Sequence, residues 1–457
     1  MKKTWTILLI GTIFLFGCRP AAITDTTTTT AASTTTKDQA AVTTTVSTAP
    51  SGMVTDATNT KTPNQSQKST SSKATTTEFV IQSTVTTFKR VNPERTAKET
   101  AKMINNTLSA PATKIASEKA VIFYPKDEND WKMSQHVSVG VLNGKVYVTW
   151  SNARVHEDDC GQRIMYSYSS DFKNWSTPQT MPNGETEIGQ YAEVVKMNGF
   201  MHTYNGTLYS SFSSSEWLPE DMLGPNVRPA GDAPRVNYKS YLMSTKDGIN
   251  WKKEESGAAL SSMGTMVTNR FFNVGSSNSI PYTDDPTGIS GWQSGAIAAS
   301  FESIKKEYGI SLICEGSYYQ TADGIIRAMW RTDCDYILMA ESYNNGVTFT
   351  RPYMTKFTNG YSMFKFGYLP DKRIFCIYNP TGRDRLPLSI VLSEDGINFN
   401  KEYILRDEPI VKQYSGIGKG GHYSYPSYCI DGEYMYIGYA TQKEGVEVTR
   451  IKISDLK

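Results

Sequence analysis

After its first twenty residues the chain has no apolar run approaching the roughly 20 residues that a membrane-spanning helix requires. Charge of either sign is also scarce as excess: the formal net charge is +2, with no basic tract beyond the start. That excludes the electrostatic footprint of a nucleic-acid partner. The 6 cysteines include no C-x-x-C pair, and no H-E-x-x-H string occurs, so no metal or other cofactor is expected. Beyond Cys18 the cysteines are Cys160, Cys314, Cys334, Cys376 and Cys429. Their odd number leaves at least one unpaired, so they read as core residues with room for a single disulfide.

What is present begins at the N-terminus. Met1-Lys2-Lys3-Thr4 precedes an apolar stretch, Trp5–Gly17, of the length and flanks of a secretory signal. It ends Leu15-Phe16-Gly17-Cys18, which resembles the lipobox of bacterial lipoproteins. Residues 1–17 are therefore expected to be a lipoprotein signal peptide. A lipid on Cys18 would then hold the chain to a cell membrane, facing the extracellular side or the periplasm. An ordinary signal peptide with an unrelated cysteine is the alternative. From Thr26 to about Thr87 the composition is Thr, Ser, Ala, Lys and Gln with almost no large apolar residues. Such a segment cannot offset its conformational entropy by burial, so residues 18–88 are expected to form a disordered tether. As a coil it would reach roughly 40–50 Å. Residues 89–113, with Ala97, Ala101, Met103 and Ile104 at helix-compatible spacing, read as a short helical or irregular lead-in.

The remainder, 114–457, repeats. Short segments rich in Tyr, Val, Ile and Trp are punctuated by Asn143-Gly144, Asn198-Gly199, Asp323-Gly324 and Asp431-Gly432, with Asp371-Lys372 in the same place in a fifth copy. These dipeptides supply the positive φ of tight hairpin turns. A second element follows each hairpin: a strand ending in a polar turn with an aromatic four residues on. The examples are Asp171…Trp175, Asp247…Trp251, Asn345…Phe349 and Asp395…Phe399. The unit is hairpin, third strand, acidic turn, fourth strand, at about 50 to 60 residues per copy, which is a propeller blade. The fold class is all-β, a β-propeller of four-stranded antiparallel sheets. Five blades are clear and a degenerate sixth falls between Ser256 and Phe301; the long stretches Asn205–Tyr238 and Ser262–Trp292 leave seven open. Val446–Ile453 is expected to close the ring by pairing with Ala120–Tyr124.

The acidic turn resembles a loosened Asp-box of the sialidase superfamily, with Ser244-x-x-Asp247-Gly248-x-x-Trp251 displacing the Asp by one place. "VTWSNARVHEDDCGQRIMYSYSSDFKNWS", "AMWRTDCDYILMAESYNNGVTFTRP" and "NPTGRDRLPLSIVLSEDGINF" are similar to bacterial BNR-type propellers. That group includes sialidase-like glycoside hydrolases, rhamnosidases acting on rhamnosyl-glucuronic acid, and ulvan lyases. The resemblance implies a carbohydrate-active propeller. The Arg-Ile-Pro motif of true sialidases is missing, since Lys114–Asp130 contains no arginine, and this puts sialic acid in doubt as the substrate.

In such a blade the start of the innermost strand and the loop joining strands two and three share one face, while hairpin and acidic turns share the other. The Asp-box residues are thus structural. The first face collects His136, Tyr191, Glu315, Lys365, His422 and Tyr425 from innermost-strand starts. The loops between strands two and three add Arg154, His156, Glu157, Asp158, Asp159 and Arg163, then Arg331 and Asp333, then Arg383, Asp384 and Arg385. Of the 4 histidines, His202 alone is predicted inside a strand. Any one of these is an ordinary solvated or ion-paired group by itself; convergence from independent blades is what suggests a site.

An acidic sugar calls for planar guanidinium donors, because a carboxylate accepts a bidentate fork. Arg163, Arg331 and Arg383 are candidates, with Lys365 as a point charge and Tyr191 and His422 as further substrate contacts. Hydrolysis adds an acid and a base or nucleophile. The catalytic candidates are His136, Tyr425, Glu315 and Asp159, of which Glu315 and Asp159 favour hydrolysis. The expectation is a membrane-anchored, monomeric glycoside hydrolase whose partner is an acidic glycan, uronic-acid-containing or sialylated. A polysaccharide lyase using His136 and Tyr425, and a non-catalytic glycan-binding lipoprotein, are the alternatives.

Overall fold

A computed structural model describes residues 103–457, apart from 232, 259–263 and 265. The expected signal peptide, the tether and most of the lead-in lie outside the described residues. Six sheets form the ring. Blade one comprises Met133–Leu142, Lys145–Ala153, Arg163–Ser169 and Gln179–Thr180. Blade two comprises Val195–Tyr204, Thr207–Trp217, Arg235–Thr245 and Lys252–Ser256. Blade four holds Ile313–Gln320, Ile326–Thr332, Tyr336–Ser342 and Tyr353–Thr358. Blade five holds Lys365–Tyr368, Ile374–Tyr378, Leu388–Ser393 and Lys401–Arg406, with Thr113–Lys114 added in parallel at its edge.

The last blade closes the ring as its sequence demands. Tyr423–Asp431, Tyr434–Thr441 and Gly445–Lys452 are completed by Glu118–Phe123 from the start of the domain. Ala120 lies opposite Val448 and Glu118 opposite Arg450 in an antiparallel register. This pairing ties the start and end of the domain into one sheet and so closes the ring.

The degenerate blade is the third. Its strands are Phe271–Phe272, Ser279–Thr283 and Gln293–Ile297, with Thr348–Phe349 arriving in parallel from blade four's polar turn. An acidic turn unrecognised in the sequence sits here: Asp285 accepts the N–H of Thr287 at 2.9 Å and of Ser290 at 3.0 Å. Trp292 Nε1 then donates to the Gly288 carbonyl at 3.0 Å. The recognised acidic turns use the same chemistry at shorter spacing. Asp247 Oδ1 accepts the N–H groups of Ile249 and Asn250, each at 2.8 Å, and Asp395 Oδ1 does the same for Ile397 and Asn398. These bonds stabilise the charged carboxylates and hold them below their ordinary pKa, even though partial burial at Asp395 acts the other way.

One local expectation needs correction. Asn198-Gly199 is not a hairpin turn: it lies within Val195–Tyr204 at a register slip, and the turn is made by Asn205-Gly206. Asn198 is retained inside because its amide donates to the His136 carbonyl at 2.7 Å. Residues 103–112, the part of the lead-in among the described residues, are irregular, one of the two forms expected. Their backbone is needed for pairing: Asn105 bridges Lys356 and Asn398, while Ile104 is fully buried against the aromatic core of blades four and five.

The core lies between adjacent blades rather than inside any one of them. Trp150 and Val139 of blade one pack with Ala440 and Val448 of blade six; Trp330 of blade four packs with Phe272 and Ile280 of blade three. Cys160, Cys334, Cys376 and Cys429 are free thiols, and Cys160 and Cys376 are buried. His202 stacks between Phe200 and Tyr209 at 5.4 and 5.0 Å, so it belongs to the core between blades two and three.

Candidate active site

Three innermost strands share one irregularity. Register slips between Gln135 and Ser138 in blade one, between Cys314 and Ser317 in blade four, and between Ser424 and Ser427 in blade six. The residue carried in each bulge is left-handed, with φ of 51° at His136, 38° at Glu315 and 55° at Tyr425. None is glycine, so each costs on the order of 1–3 kcal/mol that the surrounding structure must offset. A bulge re-aims its side chain. Here it turns an imidazole, a carboxylate and a phenol toward the axis from three separate blades.

They meet there. The His136 and Tyr425 rings contact edge to face with centroids 4.7 Å apart. Glu315 forms a tight ion pair with Arg331 Nη1. Arg331 and Arg383 lie over the Tyr361 ring at 4.6 and 5.0 Å, and Arg385 and Lys443 over the Tyr425 ring at 5.7 and 5.1 Å. Lys443 pairs with buried Glu157 at 2.7 Å. The innermost circle thus holds Arg331, Arg385, Lys365 and Lys443 against Glu157 and Glu315, an excess of positive charge with low accessibility throughout.

Protonation states follow from this setting. Burial would raise the Glu315 pKa, but Arg331, His136 and Arg385 outweigh it and hold the carboxyl below its ordinary value. Burial lowers the His136 pKa against the pull of Asp158, Glu157 and Glu315, so the ring is neutral near pH 7. Tyr425 is pushed well above its usual value by burial, with Glu315 and Glu157 adding to the shift, and keeps its proton. Burial brings Lys365 down to about 8, opposed by Glu315. One ionised carboxylate, one neutral imidazole, one phenol and one titratable ammonium share a buried, cation-rich cluster.

Several expected residues are elsewhere. Asp159 is buried beneath its loop, where its oxygens accept the N–H of His156 at 3.3 Å and of Arg228 at 3.0 Å; burial raises its pKa. It braces the loop and makes none of the axial contacts. His422 Nδ1 accepts the Ile410 N–H at 2.8 Å, securing the segment that leads into blade six. Tyr191 has an exposed side chain, and its N–H donates to Glu216 at 2.7 Å. Arg383 is exposed and donates to the Asp333 carbonyl at 3.1 Å. Arg163 stands on the same face but two strands further out than His136.

Lys443 was missed, although the rule that found the other loops applies to it: Gln442-Lys443-Glu444 joins strands two and three of blade six. Tyr361, ahead of blade five with φ 54°, gave no comparable signal. Glu157 and Arg385 were in the right loops without being singled out from their charged neighbours.

The ring of six sheets carries buried cations and carboxylates around its axis. The BNR repeat-like domain family matches residues 109–437, and the chain belongs to it. No curated protein sequence is significantly similar to this chain. Among solved structures, a sialidase matches with TM-score 0.54 at 13% identity, over 77% of this chain and 35% of that one. The chain therefore spans about a third of that sialidase's length. A protein of unknown function from Dyadobacter fermentans DSM 18053 matches with TM-score 0.53 at 17% identity, over 75% of this chain and 100% of the other. The NanB sialidase from Streptococcus pneumoniae, in complex with 2-[(3-chlorobenzyl)ammonio]ethanesulfonate, matches with TM-score 0.50 at 12% identity, over 74% and 71%. At these identities the likeness is one of fold, a β-propeller.

Proposed function

We propose that this protein is a glycoside hydrolase that cleaves an acidic glycan, uronic-acid-containing or sialylated, in the axial pocket. The observation that carries this reading is Arg331. Its guanidinium is fully buried, yet Nε and Nη2 have no hydrogen-bond partner among the described residues. Arg385, also buried, is close enough for each charge to act on the other. Buried unmatched donors are costly, and a sugar carboxylate accepts such a fork while balancing the local positive charge. Glu315 then serves as base for the Tyr425 hydroxyl, which attacks the sugar as the glycosidic bond breaks. Lys365 donates a proton to the leaving oxygen; water then displaces Tyr425 from the sugar, losing a proton to Lys365, and the released phenolate recovers its own proton from Glu315.

A second reading rests on one contact. A neutral His136 packed edge-on against a protonated Tyr425 also suits a polysaccharide lyase, with His136 removing the proton beside an arginine-bound carboxylate. Incubation with acidic polysaccharides separates the two. Hydrolysis releases reducing ends without new ultraviolet absorbance; elimination produces an unsaturated sugar that absorbs. Binding with neither signal would leave a glycan-capturing protein and overturn both.

We also propose that Cys18 carries the lipid that keeps the propeller at a membrane surface, since the motif around it supplies the attachment chemistry. Cys18→Ala is expected to move the protein from the membrane to the soluble fraction. Unchanged membrane retention would contradict the anchor.

A further inference from the structure

Arg163 is a cation without an anion. Its Nε donates to Asn152 Oδ1 at 3.1 Å, and its guanidinium lies 3.8 Å from the centroid of the Trp131 ring. Asn152 is itself fixed, donating to the Met133 carbonyl at 3.1 Å. The fork is thereby held from one edge and one face. The terminal Nη atoms make no hydrogen bond, and no carboxylate lies within ion-pair distance of Arg163 among the described residues.

Its neighbours differ. Arg154, on the same indole at 5.0 Å, is gripped by Glu193 through bonds of 2.6 and 3.1 Å. Lys132 pairs with Glu128 at 2.9 Å, Lys419 with Glu444 at 3.5 Å and Lys443 with Glu157 at 2.7 Å. Asp130 acts on Arg163 through space, but its oxygens accept the Trp131 N–H at 2.7 Å and the Lys126 N–H at 3.2 Å. Among the described residues these neighbouring cations each lie within ion-pair distance of a carboxylate, whereas Arg163 does not.

Its position gives those donors a use. Arg163 starts the third strand of blade one opposite Asn152, two strands outward from the bulge that carries His136. Neighbouring strands lie about 4.8 Å apart, so Arg163 stands about 10 Å from the axis-facing strand, on the same face of the ring. We propose that Arg163, oriented by Trp131 and Asn152, is an accessory subsite for an anionic oxygen cluster on a sugar further along the chain held in the axial pocket. This rests on the axial reading above and extends it: the substrate is a polymer carrying carboxylate or sulfate groups on more than one sugar. Arg163 receives the second charge, and Trp131 is its positioning residue.

Affinity electrophoresis tests this on the full-length protein. Native gels contain polygalacturonate for carboxylates, chondroitin sulfate for sulfates, or neutral dextran as control. The wild type is expected to be retarded by one or both polyanions and not by dextran. Arg163→Gln should weaken that retardation about tenfold, with an unchanged melting temperature. Arg163→Lys, which keeps the charge, should retain at least half of the effect. The subsite is overturned if Arg163→Gln migrates like the wild type in the polyanion gels. It is also overturned if Arg163→Lys is as weak as Arg163→Gln, which would place the effect in packing on Trp131, or if neither polyanion retards the wild type. Failure of the axial reading has a separate signature, absence of any cleavage product, so the two can be told apart.

Discussion

Replacing Glu315 with Gln should lower kcat on an acidic glycan by about 10²–10⁴-fold, the range that a positioned proton acceptor contributes. The substitution keeps the shape of the side chain and one acceptor oxygen but removes the charge. Arg331 loses its internal counter-ion and remains free for the substrate carboxylate, so KM should change much less than kcat. Tyr425→Phe should produce a loss of similar size, because it preserves the edge contact with His136 while removing the hydroxyl. The two residues act as one unit here, so the double variant should be no slower than the worse single one. Additive losses, or a Glu315→Gln enzyme of normal kcat, would contradict the assignment.

The second large effect is on stability. Arg331→Leu is expected to destabilise the fold by about 3–5 kcal/mol, because it strands the Glu315 charge in a buried site. The pH dependence distinguishes this from simple loss of packing. In the native protein the Glu315 pKa is depressed, so its pairing stabilises the fold at neutral pH and that contribution fades as pH falls through the folded value. In the variant, burial is opposed only by His136 and Arg385, so the folded pKa lies higher than in the native protein. The penalty should therefore be smallest in acid and grow as pH rises from the native folded value toward that of the variant. The double change Arg331→Leu with Glu315→Leu should recover much of the loss, as buried ion pairs replaced by apolar residues commonly do. Urea unfolding at pH 4.5 and 7 checks each point. A pH-independent deficit in Arg331→Leu would mean that the ion pair is not what holds this part of the ring.

The fold was legible because a propeller repeats its grammar. Asp171, Asp247 and Asp395 each bond the backbone of their own turn, and that chemistry needs only local spacing. The third blade hid its copy because Thr283–Trp292 stretches the turn, with Asp285 and Trp292 seven residues apart rather than four. Asn198-Gly199 misled for the opposite reason. The dipeptide favours a turn, but tertiary contacts from Asn198 to the His136 carbonyl draw it into a strand. In the described part of the lead-in, the pairing of Asn105 with Lys356 and Asn398 accounts for the irregular form.

The site was harder to read. His136, Glu315, Arg331, Lys365 and Tyr425 were found because topology says which strand ends share a face. Topology does not say how far from the axis a loop side chain reaches. Asp159 and Arg163 lie on the correct face, yet one braces a loop from beneath and the other stands at the rim. The bulges that turn His136, Glu315 and Tyr425 inward are invisible to period-two patterning, which has no symbol for an extra residue.

The central claim is that the axial pocket receives an acidic sugar through Arg331 and Arg385. A glycan array probed with the slow-turnover Glu315→Gln protein tests it most directly, alongside the same protein carrying Arg385→Met. Retention of acidic glycans alone, lost on the second substitution, is the predicted result. Retention of neutral glycans, or acidic binding indifferent to Arg385, would contradict it.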